Sequence, residues 1–313
     1  MIQETPFCNS VFEQPWWLDI VAKDHWHEII IKEEDKVIAR LPYVLYGKTI
    51  NNPQFTQTLG IWFDSSVKEP VIGNHQFAKQ KELYKMLVEQ LPNHRNIDFV
   101  FDSEVKYILP FRWLGFEIKP EFSYRIFDIK NKQINEDLFD KRIRSSIRTG
   151  QNKLIIDQES LDIDAFIELQ NKTFARQNRK NPYPLDLINN IISKAIENER
   201  GKLFFVRDSN GVNHAASFIL YDEKVCYHLM SGQDASFGFD GAMALLFYNE
   251  LLFAKEHSKD FDFEGSMIEG IEQVYRRYGG DQIINWHVSR HNLCGTAKEY
   301  FKPIIKRMLH YKT

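Results

Sequence analysis

Cysteine is scarce: Cys8, Cys226 and Cys294 are the only ones in 313 residues, and no two lie close in sequence. That excludes a disulfide framework and a closely spaced zinc knuckle, and it points to a reducing cytosol. A long apolar run is missing too. The most apolar window, AMALLFYNELLFA at 242–254, is too short to cross a bilayer and carries Asn249 and Glu250, so it reads as a buried helix. The opening MIQETPFCNS has neither the basic nor the apolar segment of a signal peptide. A cytoplasmic location is therefore expected, with the inner face of the membrane as a peripheral alternative. Positive charge is not in excess: the formal net charge is −3, so no global field recruits DNA, and any polyanion site has to be a local patch. What is present is a folding chain, 43% hydrophobic and 14% aromatic, enough for substantial cores and long enough for two domains.

FRWLGF at Phe111–Phe116 and YRRYGG at Tyr275–Gly280 both read aromatic–Arg–x–x–Gly, and they lie 164 residues apart. At the same offset Asp98–Phe99 falls on Asp262–Phe263, Leu87 on Leu251, Tyr84 on Tyr248 and Ala78 on Ala242. The register holds without a gap over 77–116 against 241–280. The period is far too long for a solenoid and predicts one domain duplicated in tandem.

The second copy shows its order plainly. Three strand-like runs across 201–232 are parted by turn signals at Asp208–Gly211 and Asp222–Lys224. A Gly-containing loop follows, then a helix near 242–255, the strand DFDFEG, a helix near 268–278, a Gly–Gly stop and the strand QIINWHV. The first copy is looser. It has a hairpin turning near Glu34–Asp35, a third strand FTQTLGIWF, and a helix over 77–91 with Leu83, Tyr84, Leu87, Val88 and Leu91 at helical spacing. The strand IDFVF, a short helix ending at Gly115 and the closing strand FSYRIFDI complete it. Helices between parallel strands must cover a sheet, so the expected class is α/β (α+β), a mixed central sheet flanked by helices in each copy. The expected boundaries are 1–130 for the first, degenerate domain, 131–155 for a basic linker helix, and 156–313 for the second domain, which would hold a donor site.

A hairpin, a Gly-bearing loop opening a helix, then a strand and a helix ending aromatic–x–x–x–Gly together resemble the GNAT acyltransferase superfamily, whose late helix commonly ends YxxxGF. FRWLGF fits that ending, and YRRYGG fits it with Gly280 in place of the aromatic. Two such units, with DFEGSMIEGI before the last helix and KRIRSSIRTGQNK between the copies, resemble the FemAB-like transferases of bacteria. The resemblance covers nearly the whole chain. It implies two tandem GNAT-like domains and an N-acyltransferase that passes an acyl group, usually from acyl-coenzyme A, to a small-molecule amine, with no metal. In the cell-wall members of that branch the donor is an aminoacyl-tRNA and the acceptor a peptidoglycan precursor, which stays open as a second reading. A third is a binding protein that kept the fold and lost the chemistry.

The candidate residues follow. In the loop SFGFDG, Gly238 and Gly241 stand before a helix that starts at Ala242, where free N–H groups and the positive end of the dipole suit a pyrophosphate. The same stretch also reads as an ordinary strand–helix turn with Asp240 as N-cap. The resemblance makes Ser236, Gly238, Asp240, Gly241 and Ala242 the donor-binding set, although the Arg or Gln common in that family is absent. It also gives Tyr275 the role of protonating a leaving thiolate, which Phe111 in the first copy cannot do. The Lys frequent in this part of peptidoglycan-type members is missing. Glu264, with Ser266 beside it, is placed to position an amine or accept its proton, and Asp262 shares its strand face by the period of two. Asp262 also reads as a structural hydrogen-bond partner, because Asp98 matches it. Lys141–Lys153 carries five positive charges and no acid. As a helix it puts Lys141, Arg144 and Arg148 on one face, with Ile143 and Ile147 as anchors, Glu136 and Asp137 suiting its start and Gly150 its stop. Arg144 and Arg148 are candidates for gripping phosphate; a solvated linker helix is the plain alternative. Arg176 and Gln177 precede a Pro-punctuated loop of the kind that rims an acceptor site. His287 and His291 lack a nearby third ligand, and Cys226 has no base near it in sequence, so neither a metal site nor a cysteine nucleophile is expected.

Overall fold

A computed structural model describes residues 4–68, 74–92, 96–134, 138–265 and 267–291. The chain divides into two compact units: an N-terminal unit, Thr5–Glu121 with Ile284–Thr313, and a C-terminal unit, Phe122–Ile283 with Met1–Glu4. The boundaries thus fall inside two strands, and the basic segment 141–153 belongs to the C-terminal unit.

The N-terminal unit runs α1 (Pro15–Val21), β1 (Trp26–Glu33), β2 (Lys36–Tyr46), β3 (Thr49–Asn51), β4 (Trp62–Phe63), α2 (Ser65–Lys68), α3 (Asn74–Gln90), β5 (Asn96–Phe101) and α4 (Leu109–Trp113). Next comes β6 (Glu117–Ile126), which continues into the C-terminal unit. The first hairpin turns at Glu34–Asp35 as expected, with Glu34 at φ +54, the left-handed conformation a tight turn requires. The third strand differs from expectation. Within 55–63 only Trp62–Phe63 is strand, and the strand beside β5 is Thr49–Asn51. Phe55 sits at φ +59, which breaks an extended run. Thr56 turns inward, its Oγ1 accepting from Trp17 Nε1 at 2.9 Å. Leu83, Tyr84, Leu87, Val88 and Leu91 are all buried, as their spacing predicts.

The C-terminal unit contains α5 (Lys141–Lys153), β7 (Ile155–Asp157), α6 (Ile163–Arg176), α7 (Leu185–Glu197), β8 (Gly201–Arg207), β9 (Asn213–Tyr221), β10 (Val225–Gln233), α8 (Ala242–His257), β11 (Asp260–Asp262) and α9 (Glu269–Arg277). The last strand, β12 (Asp281–Arg290), passes back into the N-terminal unit. Sheet order here is β7-β8-β9-β10-β11-β6, antiparallel except for the parallel pair β10 and β11. Helix α8 is apolar nearly all round and is buried to match, through Ala244, Leu245, Leu246, Phe247, Leu251 and Ala254. Each fully buried leucine contributes about 1.5–3 kcal/mol. The same burial encloses Glu250 completely. Among the described residues no helix is long and apolar enough to cross a membrane.

The duplication holds in three dimensions. Shifted by 164, the ends of β6 land on the ends of β12, and the left-handed Gly115 (φ +84) lands on Gly279 (φ +81). The last strand of each copy, however, completes the other copy's sheet. The tail of β6 pairs with β11, Arg125 opposite Asp262, while the tail of β12 pairs with β5, Ser289 opposite Asp98. Both pairings keep the same register under the offset. Each unit is therefore closed by the strand that follows the other copy's final helix.

Candidate active site

The site is built where two parallel strands part. β10 and β11 pair only through Val225↔Asp260, Cys226↔Phe261 and Tyr227↔Asp262. There β11 ends, while β10 continues to Gln233 with a bulge between His228 and Met230 against β9. Beyond Tyr227, β10 loses this neighbour. A bulge re-aims side chains and ends pairing, which is why bulges gather at active sites. The far end of β10 is clamped from behind: a Cβ on Gly232 would lie 2.4 Å from Gln170 N of α6, and Gln233 N–H donates to Thr173 Oγ1 at 2.8 Å.

On the α8 side, the bulge brings three chemical groups into line. Glu250 Oε2 lies 2.8 Å from His228 Nδ1, and His228 Nε2 lies 3.1 Å from Ser231 Oγ. His228 and Glu250 are buried, whereas Ser231 is half-buried. Glu250 Oε1 is enclosed with no hydrogen-bond partner. None of these three was singled out from the sequence. The available signal was Glu250 itself, since an acid in an apolar helix must find a partner.

Glu264 and Tyr275 flank the same opening from the β11 side. Glu264 does not share a strand face with Asp262, because β11 ends at Asp262 and Glu264 sits at φ +61. Its Oε1 is enclosed without a partner, and burial, reinforced by Asp262, pushes its carboxyl well above the usual range. Tyr275 stacks on Phe263 with ring centroids 5.2 Å apart. Burial, with help from Glu264 and Glu250, raises its phenol above the ordinary value, so it stays protonated. Asp262 has the structural role: its carboxylate accepts from Ser123 Oγ at 2.6 Å, from Arg125 Nε at 2.9 Å and from Glu264 N–H at 2.8 Å. Ser266 lies outside the described residues.

The loop before α8 is tied down by its own acids. Asp234 accepts from Ser236 N–H and Oγ–H at 2.9 and 2.6 Å. Asp240 accepts from Ala242 N–H at 2.8 Å and lies 2.6 Å from His214 Nδ1, while Phe237 stacks on His214 at 3.6 Å. Gly241, at φ +86, is pressed on α5: a Cβ there would lie 2.3 Å from Ser146 O. Gly150 is the reciprocal contact, inside α5 and not at its stop. The helix spans 141–153 as expected, with Asp140 as N-cap accepting from Ile143 N–H at 2.8 Å, and it buries Ile143 and Ile147. Glu136 and Asp137 lie outside the described residues. Arg148 is exposed and Arg144 half-buried on this helix; Arg176 and Gln177 are exposed at the end of α6. Among the described residues no group of three or more His, Cys, Asp or Glu is placed to hold a metal. Burial pushes the Cys226 thiol up, which keeps it unreactive. A cavity of about 230 Å³ also opens in the N-terminal unit between Phe63, Phe77, Tyr84 and Tyr107. Its walls are largely apolar, with Asn9, Gln80, Glu104 and Lys106 among them, and it belongs to the copy with Phe111 in place of Tyr275.

Residues 139–266 match the family model described as an acetyltransferase (GNAT) domain. That stretch is a GNAT acetyltransferase domain by this match. That match spans α5 through β11 and holds the parted strands. The GNAT architecture extends over both copies. The crystal structure of FemX matches with a TM-score of 0.67 at 14% identity, over 89% of this chain and 92% of that one. The C-terminal domain of a putative lysylphosphatidylglycerol synthetase from Agrobacterium fabrum matches at 0.58 and 12%, over 87% of each. A tandem GNAT protein from the clavulanic acid biosynthesis pathway matches at 0.51 and 10%, over 84% and 82%. At such identities the likeness is one of fold, and the fold is tandem GNAT. No curated protein matches by sequence.

Proposed function

We propose that the C-terminal unit transfers an acyl group from an acyl-coenzyme A thioester to an amine. The observation that carries this reading is the parting of β10 from β11 inside a GNAT domain, with titratable groups on both walls. An extended thioester arm fits beside β10 where β11 no longer pairs with it, and backbone N–H groups on that edge, other than the one Gln233 gives to Thr173, polarise its carbonyl. Tyr275 supplies the proton for the leaving thiolate. Glu264 binds the incoming amine, and Arg176 and Gln177 line its approach. The loop Ser236, Gly238, Asp240, Gly241 and Ala242 takes the phosphate end of the donor. The Asp240 carboxylate is engaged there by His214 Nδ1 at 2.6 Å and by Ala242 N–H at 2.8 Å. Arg144 and Arg148 stand on the helix that touches Gly241 and add charge-assisted bonds. Such a donor suits a cytoplasmic protein.

The test is thermal stability with and without coenzyme A and acetyl-coenzyme A. At about 100 times the dissociation constant a ligand adds roughly 2.7 kcal/mol, a clear rise in melting temperature. Arg148→Glu should weaken that rise without changing the stability of the free protein. No rise with either ligand would remove coenzyme A as donor. The exposed basic face of α5 favours one other reading, an aminoacyl-tRNA donor with a cell-wall precursor as acceptor. It requires tRNA binding that weakens steeply with salt.

A further inference from the structure

We infer that acyl transfer in the C-terminal unit passes through an ester on Ser231, with His228 as its base and Glu250 as the group that orients the base. This rests on the reading of that unit as an acyltransferase, and it adds a covalent step. Ser231 Oγ, His228 Nε2, His228 Nδ1 and Glu250 Oε2 form one chain with links of 3.1 and 2.8 Å. With Nδ1–H donating to Glu250, the Nε2 lone pair faces the serine hydroxyl. That is the arrangement by which a weak hydroxyl nucleophile is activated, and it is recognised by geometry and roles, whatever the fold. The burial gradient suits it as well: the base and its carboxylate are enclosed, and the serine lies at the opening.

Two further observations argue against a merely structural trio. The duplication provides an internal control. At the offset of 164, Glu250 corresponds to Met86, which is exposed, so an acid enclosed at this place is a feature of the second copy alone. In addition, Glu250 Oε1 is left enclosed and unpartnered, a cost that a structural pair would avoid.

The step balances as follows. Ser231 Oγ bonds to the thioester carbonyl carbon while its proton moves to His228 Nε2. The C–S bond breaks, the thiolate leaves as free thiol with the proton of Tyr275, and the proton on Nε2 passes through solvent to the tyrosinate, so that both groups are restored. The amine then attacks the acyl-serine carbonyl and gives its proton to Nε2. That proton returns to Ser231 Oγ as the ester C–O bond breaks, leaving an amide and the free serine.

The experiment mixes the intact protein with p-nitrophenyl acetate, and separately with acetyl-coenzyme A, and examines the quenched protein by peptide mass spectrometry. The expected result is a burst of p-nitrophenolate stoichiometric with protein and one acetyl group on the peptide bearing Ser231. Ser231→Ala should abolish the adduct and slow acetyl transfer at least about a hundredfold with an unchanged melting temperature. Ser231→Cys should restore an adduct, now a thioester. An adduct from p-nitrophenyl acetate without any from acetyl-coenzyme A supports the serine and moves the failure to the proposed donor. Transfer from acetyl-coenzyme A with no adduct, or at the wild-type rate in Ser231→Ala, overturns the inference and leaves the proposed function standing. No adduct from either reagent and no transfer overturns both.

Discussion

One carboxylate position is neutralised in opposite ways in the two copies. Asp262 is paired with Arg125, whose charge is permanent, and with Ser123. Its counterpart Asp98 is paired with His287 Nε2 at 3.2 Å and His291 Nε2 at 2.8 Å, and Glu121 faces His287 Nδ1 at 3.6 Å. At the offset, His287 replaces Ser123 and Ser289 replaces Arg125. The N-terminal unit thus holds its last strand with a charge that titrates. The hydrogen bond that His287 donates to Asp98, aided by Glu121 and opposed by burial and Lys119, raises His287 above its ordinary value. A raised histidine contributes stability that is fully present below about pH 6.5 and is lost as pH rises through the folded value. His287→Gln should therefore lower the melting temperature more at about pH 5.5 than at about pH 9. An equal loss at both would show that the pair does not titrate with folding.

The elements were largely readable from sequence, and the exceptions have physical causes. The order of strands and helices in the second copy is as the turn signals indicate, because each turn there is a local matter of Gly, Asp and Asn. β11 is the informative shortfall. DFDFEG has the pattern of a longer strand, but only Asp260–Asp262 is strand, since Glu264 adopts a left-handed backbone. Gly241 was legible as a glycine with a special duty and not as to which duty. Its φ of +86 and the 2.3 Å approach to Ser146 O depend on where α5 packs, which no window of residues around Gly241 reveals. The same holds for His228 and Glu250, whose meeting is set by the bulge in β10 and the seating of α8. Gly241→Ala adds a methyl group where backbone already stands, and strains φ as well. It should cost roughly 2–4 kcal/mol, read as a lower urea midpoint at unchanged slope.

At the scale of the molecule, the sequence repeat and the structural unit are not the same object. The repeat is legible at its offset of 164, yet nothing in that arithmetic says which β-strand closes which sheet. Strand exchange is a long-range choice between two pairings of matching register. It has a measurable result. A chain cut between residues 130 and 131 should yield two pieces that do not fold separately. The first would lack β12 beside β5, and the second would lack β6 beside β11. Mixed together they should regain the far-ultraviolet circular dichroism of the intact protein. A cooperatively folded fragment 1–130 by itself would contradict this.

The exchange also sets a timetable for synthesis. Phe101 ends β5, but its partner in β12 leaves the ribosome only near Arg290. At translation rates of about 5–20 residues per second, that edge waits for roughly 10–40 s. During this interval the nascent N-terminal copy exposes unpaired backbone along β5, the kind of edge that invites pairing with other chains. A copy that has Phe111 in place of Tyr275 nevertheless supplies, through β6, the Ser123 and Arg125 that hold Asp262 beside the candidate site. A chain made of the second copy alone would lack that strand and would leave the Asp262 carboxylate without Ser123 and Arg125.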